Sequence, residues 1–140
     1  VSRYIILPNG RPTNFTLVEL ACRHCGKFNY HPGVLDKIQD VRDDLNEAMM
    51  PTSGCRCDQH NTAVGGKRDS FHICDRVPDQ HKGRLGCMAV DLATPSPMYR
   101  GRLFACLWKH GFTVGINFTK NFLHGDQRRL IGWEQTTFPY

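Results

Sequence analysis

Residues 53–72, SGCRCDQHNTAVGGKRDSFH, read together with Ala89-Val90-Asp91 and Phe122-Leu123-His124-Gly125-Asp126, decide how this chain folds. His72, Asp91 and His124 each fall in or beside a predicted strand or its approach loop, and side chains on one sheet face converge. Two imidazoles and a carboxylate can hold one metal ion and leave a coordination position open. Zinc is arranged this way for hydrolysis, whereas structural zinc is normally closed by four ligands, often sulfur. Asp91 follows the apolar Met88-Ala89-Val90, where a carboxylate is costly unless a cation or several donors meet it. Taken singly, Asp91 also reads as a strand-end residue capping the turn towards Thr94-Pro95, and each histidine as an ordinary imidazole. Only the three together point to metal.

Working outward, His31 to Met50 carries the strongest helical pattern. Val34, Ile38, Val41, Leu45 and Met49 recur at steps of three and four, and Pro51 is expected to stop the helix. A shorter helix is predicted over Phe15 to Cys22, beginning at Asn14 or Thr16. Another is predicted from Met98 to Lys109 behind Ser96-Pro97, with Leu103, Cys106 and Leu107 inward. Thr52–Arg56, Met88–Ala93, Thr113–Asn117, Phe122–Asp126 and Leu130–Glu134 read as short strands. Helices first, then short strands interrupted by one helix, predict an α+β fold in which a small, mainly antiparallel sheet carries the site. No repeat or linker divides the chain, so residues 1–140 are expected to form a single domain.

The 140 residues are 40% hydrophobic and 22% charged, which excludes a disordered chain and is enough for a real core. No stretch approaches the apolar length of a membrane helix, and Tyr4 to Leu7 is far too short for a signal sequence. The opening Val1 fits a processed or excised domain, from which any export signal would be missing. The net charge of +5 favours anionic surroundings such as nucleic acid, a membrane surface or a bacterial wall, or is a solvated basic surface. No nucleic-acid recognition pattern accompanies it, so no nucleic-acid partner is expected. Seven cysteines are many for this length, and Cys22-Arg-His-Cys25 can be a redox pair, half of a zinc site, or neither. The one-residue spacer of Cys55-Arg-Cys57 fits a second zinc half-site poorly, which favours core thiols or disulfides over a thiolate metal site.

The quoted motifs carry a resemblance. Ser53-Gly54-x-Arg56-Cys57-x-x-His60-Asn61-x-x-Val64-Gly65-Gly66, then Ser70-x-His72, and later Phe122-Leu123-His124-x-Asp126 resemble the zinc D-Ala-D-Ala carboxypeptidase family. That family includes phage endolysins and shares its fold with the hedgehog signalling domain. Phe15-Thr16-Leu17-x-Glu19-Leu20-Ala21-Cys22 and Gly111-Phe112 extend the likeness over nearly the whole chain. The resemblance implies His72, Asp91 and His124 as zinc ligands, and Arg56 beside the zinc as a contact for a substrate carboxylate or an oxyanion. Asp126 is implied either as general base or as a group orienting a ligand. Ser70 and His60 are expected to position the loop, and Gly65-Gly66 to let it turn.

There are departures from the family pattern. Ile73 to Gly86 is an insertion between the first two ligands, and it carries a competing histidine, His81, as the alternative to His72. Cys87 replaces a glycine, and a Cys74–Cys87 disulfide is expected to close the insertion's base. Cys55 replaces a tyrosine and Asn117 stands where an aromatic is common, both at the expected groove. The implied function is a monomeric zinc peptidase, secreted, periplasmic or phage-delivered, acting on peptidoglycan stem peptides as a carboxypeptidase or an endopeptidase. The alternative is a non-catalytic zinc-containing binding module of the same fold.

Overall fold

The computed structural model describes residues 3–76 and 84–140. The chain begins with a hairpin, β1 (Tyr4–Ile6) and β2 (Pro12–Thr16), and runs into the short helix α1 (Leu17–Leu20). Thr16 and Glu19 form a reciprocal cap at that junction: each backbone N–H donates to the other's side chain. Helix α2 (Val34–Leu45) buries Val34, Leu35, Ile38, Val41 and Leu45, the face that the periodicity predicted. It stops five residues short of the expected Met50. Asn46 takes the left-handed conformation (φ 54) and its N–H closes on the Arg42 carbonyl, a C-cap that ends the helix before Pro51 acts.

After β3 (Pro51–Ser53) comes a six-residue helix, α3 (Asp58–Ala63), then β4 (Ala89–Ala93) and α4 (Pro97–Lys109). Ser96 caps α4 and Pro97 occupies its first turn, as the sequence indicated. Leu103 and Leu107 are fully buried, while Cys106 is only half-buried. The chain closes with β5 (Thr113–Asn117), β6 (Phe122–Asp126) and β7 (Thr137–Pro139). The predicted strand over Leu130–Glu134 is instead a 3-10 turn over Arg128–Ile131, closed by Gly132 at φ 83. Its Leu130 is exposed, so no apolar face was available to hold it in a sheet.

The five-stranded sheet runs β3-β4-β6-β5-β7, antiparallel except for the parallel β5–β7 pair. The fold is α+β with a small, mainly antiparallel sheet. Strand alternation sorts the residues. Val90, Leu92, Val114, Ile116 and Leu123 face the helices and join the core with Leu103, Leu107 and Phe112. Asp91, Gly115 and His124 lie side by side on the opposite face, because the register pairs His124 with both. Among the described residues, no helix is long and apolar enough to cross a membrane.

Candidate metal centre

Asp91 on β4 stands directly across from His124 on β6, and Ser53 on β3 flanks Asp91 from the other side. His72 comes from the loop before the insertion. That loop is drawn in where the Arg56 N–H donates to the His72 carbonyl (2.9 Å) and the Met88 N–H to the Phe71 carbonyl (2.8 Å). Ser70 helps, its hydroxyl accepting the His72 N–H. The three side chains meet in a triangle. His72 Nε2 lies 3.1 Å from Asp91 Oδ1, His124 Nδ1 lies 3.0 Å from the same oxygen, and the two nitrogens are 3.3 Å apart. Ligands about 2.0–2.1 Å from a tetrahedral ion are about 3.3 Å from one another, so the triangle has the dimensions of three corners of a zinc site.

The remaining atoms of each ligand are tied down. The other nitrogen of His72, Nδ1, donates to the Gly54 carbonyl at 2.7 Å, and the other nitrogen of His124, Nε2, donates to Asp126 Oδ2 at 2.7 Å. Carbonyl and carboxylate oxygens only accept, so these bonds place a proton on His72 Nδ1 and His124 Nε2 and leave the other nitrogen of each ring, the one that would bind a metal, facing Asp91. Arg56 Nη2 donates to Asp91 Oδ2 at 3.0 Å. Three electron-rich atoms therefore face one point in a buried place: His72 is 0% exposed, Asp91 3% and His124 3%. A divalent cation relieves that repulsion, and the donor set is one that zinc accepts. Burial would push the Asp91 carboxyl up, and positive charge at His72 and His124 brings it below the usual carboxylate range; a bound cation would supply that charge in place of protons.

Arg56 is buried and its fork is braced at three points: Nε on the Ser53 hydroxyl, Nη1 on the Asn61 amide oxygen, and Nη2 on Asp91. Asn61 is in turn the hub of the glycine turn, its Nδ2 donating to the Lys67 carbonyl. A Cβ on Gly66 would sit 2.1 Å from the Asn61 amide oxygen, so the motif needs glycine there to let the turn close on Asn61. Asp126 is wholly buried. One oxygen accepts from His124, and Arg128 donates to both through its Nε (2.9 Å) and Nη2 (2.8 Å). Burial alone would raise the Asp126 pKa, but Arg128 and His124 bring it down to about 2. Its geometry is that of a group that aims His124, with no oxygen left for a proton from water.

A cleft of roughly 520 Å³ opens over Asp91 and Arg56, walled by Phe122, Phe138 and Tyr140 and rimmed by Lys67 and Lys120. Phe138 and Tyr140 escaped the sequence reading, although their alternation at the end of a Thr-rich stretch was a faint strand signal. Tyr140 stacks on His124 with ring centroids 4.8 Å apart. Gly115 makes room for both aromatics, since a Cβ there would lie 2.8 Å from the Phe138 ring and 3.1 Å from Tyr140. Asn117 does line the cleft, and the aromatic surface expected at its position is supplied by β6, β7 and the residue after β7. Cys55 does not line the cleft. It points into a buried cluster with Cys74 and Cys87, in contact with both thiols.

The expected Cys74–Cys87 disulfide is absent, and all seven cysteines are free thiols. The insertion's base is held by Asn29 instead. Its side chain donates to the Cys74 carbonyl at 2.9 Å and its own carbonyl accepts the Cys87 N–H at 2.8 Å. His81, the alternative first ligand, lies outside the described residues. A sequence model of the peptidase M15 family matches residues 13–126. None of the curated proteins matches the chain.

Proposed function

This chain belongs to that family of metal-dependent peptidases, and from that premise we propose that it is a zinc-dependent peptidoglycan hydrolase cutting stem peptides that contain D-amino acids. The observation that carries the proposal is the triangle of His72 Nε2, Asp91 Oδ1 and His124 Nδ1, whose Asp91 lines a cleft together with Arg56. Zinc held there supplies Lewis acidity to a scissile carbonyl and acidifies water.

The chain's own residues divide the remaining work. Arg56 keeps N–H groups beyond those used by Ser53, Asn61 and Asp91, and these meet a peptide carboxylate or the oxyanion of the transition state. Asp126 holds the His124 ring at its angle and in its tautomer. With Asp126 committed and the Tyr140 phenol pushed above its usual range by partial burial and so kept protonated, proton acceptance falls to His60 on the cleft wall. Burial first, then Arg56, His24 and Arg23, disfavour charge on His60, which keeps it neutral and able to accept a proton. Arg23, Lys67 and Lys120 along the cleft attract the carboxylates of wall peptides. The protein works as a monomer at the cell wall, whether secreted, periplasmic or phage-delivered.

One observation favours a second reading, a non-catalytic zinc module. Among the described residues, Asp91 is the only carboxylate lining the cleft, so no spare acid serves as base. Incubating the purified protein with peptidoglycan, with and without chelator, separates the two. Chelator-sensitive release of D-Ala marks a carboxypeptidase, and a new free amine between stem peptides marks an endopeptidase. No chelator-sensitive product from any wall chemotype overturns the hydrolase and leaves the binding module.

A further inference from the structure

A second convergence of ligand atoms lies away from the triangle, with the Sγ atoms of Cys22, Cys25 and Cys57 all within 4.8 Å of one another. Cys22 and Cys25 bracket a tight turn after α1, where the Gly26 N–H closes on the Cys22 carbonyl (2.8 Å) and Gly26 takes φ 77. Cys57 arrives from the distant loop between β3 and α3. Its one-residue offset from Cys55 settles which thiol joins. The chain is extended at Cys57 (φ -71, ψ 162), and within the one cluster of five buried cysteines Cys55 contacts Cys74 and Cys87 while the Cys57 sulfur converges with those of Cys22 and Cys25. The spacing that fits a paired half-site poorly therefore contributes a single thiol to the site.

Backbone N–H groups point at two of these sulfurs. The Cys57 N–H donates to Cys22 Sγ at 3.3 Å, and the backbone N–H groups of Cys25 and His24 also bond to that sulfur. The His60 N–H donates to Cys57 Sγ at 3.3 Å. Backbone donors aimed at a sulfur stabilise its anionic form, which is the form that binds metal. A further donor stands at the edge of the trio: His24 Nδ1 is 3.5 Å from Cys57 Sγ, although it is not among the ligand atoms that all lie within 4.8 Å of one another. Zinc bonds of about 2.3 Å to sulfur and 2.0–2.1 Å to nitrogen, at tetrahedral angles, put those two atoms about 3.6 Å apart.

We propose that Cys22, Cys25 and Cys57 hold a second and purely structural zinc ion, with the exposed His24 ring turning in as its fourth ligand. Three thiolates and one imidazole fill a tetrahedral ion and leave no open position, so this ion performs no hydrolysis. Each thiol gives up its proton to solvent on binding. The ion ties the turn after α1 to the residue that follows Arg56. It thus anchors the backbone of the arginine that braces Asp91. This site does not depend on the peptidase reading, because it shares no ligand with the triangle.

The test is cobalt(II) substitution of the full chain, purified under reducing conditions. The expected result is two metal equivalents per chain and a near-ultraviolet thiolate-to-cobalt charge-transfer band. The His72–Asp91–His124 triangle, having no sulfur, cannot produce that band. His124→Ala should keep the band with one equivalent, and Cys25→Ser, at an exposed ligand position, should lose most of the band and keep the other equivalent. The wild-type spectrum decides even if a variant fails to fold. A single equivalent with no thiolate band overturns the proposal, as does a mass two hydrogens lighter after preparation that locates a disulfide within Cys22, Cys25 and Cys57.

Discussion

The two ligand clusters differ in what holds them. The triangle of His72, Asp91 and His124 is built mainly on sheet register, with Asp91 facing His124 across neighbouring strands and each ligand aimed by a further hydrogen bond. The cluster of Cys22, Cys25 and Cys57 is built on two loops, with backbone N–H groups pointing at the sulfurs. Nitrogen and oxygen ligands under an open cleft leave room for a substrate, while thiolates with a closing imidazole do not. On the proposed reading, the sheet holds two of the three ligands beneath the cleft, and a metal cross-link would make up for the missing sheet where only loops meet.

The sharpest way to break the comparison is His124→Ala. It should abolish chelator-sensitive hydrolysis and remove one metal equivalent, as read by elemental analysis, while the sulfur-held metal stays. Asp126→Asn comes next. Losing the carboxylate that aims His124 should lower metal affinity or activity about 10–100-fold, the usual cost of removing a partner behind a ligand. A competitive chelator titration checks this, and unchanged metal affinity with complete loss of turnover would return Asp126 to the role of base. Gly115→Ala should push Phe138 and Tyr140 off the sheet face and cost about 1–3 kcal/mol through overpacking, read as a lowered urea midpoint with both metals retained. The smallest effect is expected from Cys74→Ser. It packs with Cys55 and Cys87 and is not among the three converging sulfurs, so it should leave metal content unchanged and cost about 1 kcal/mol, measured by the same denaturation.

Much of the fold was legible where a local signal and the tertiary contacts agree. Strands β5 and β6 fall on the predicted residues, and α4 starts one residue earlier than expected, behind the Ser-Pro pair that announced it. Where they disagree, the structure departs. Helix α3 went unseen because its cap is the Cys57 thiol, which is not among the side chains that normally announce a helix start. Strand β7 went unseen because it is three residues long, contains proline, and exists only by pairing in parallel with β5. The Cys74–Cys87 bridge was expected from two cysteines framing an insertion, but Asn29 fills that role through hydrogen bonds no cysteine spacing could reveal.

By itself, the sequence determined the chemical types available: two histidines and an aspartate in strand context, an arginine fixed near them, and more cysteines than a plain core requires. Those choices follow from residue identity and short-range pattern, which act over a turn or a strand. Only the tertiary structure decided which atoms meet. Register set Asp91 against His124, and the insertion's closure on Asn29 goes with the return of β4 beside His72. Arg128 settled the posture of Asp126, and the turn of one residue between Cys55 and Cys57 sent their thiols to different neighbours. Such meetings are between residues far apart in the chain, and they are fixed by packing and by the demand that every buried polar atom find a partner. No local pattern encodes that.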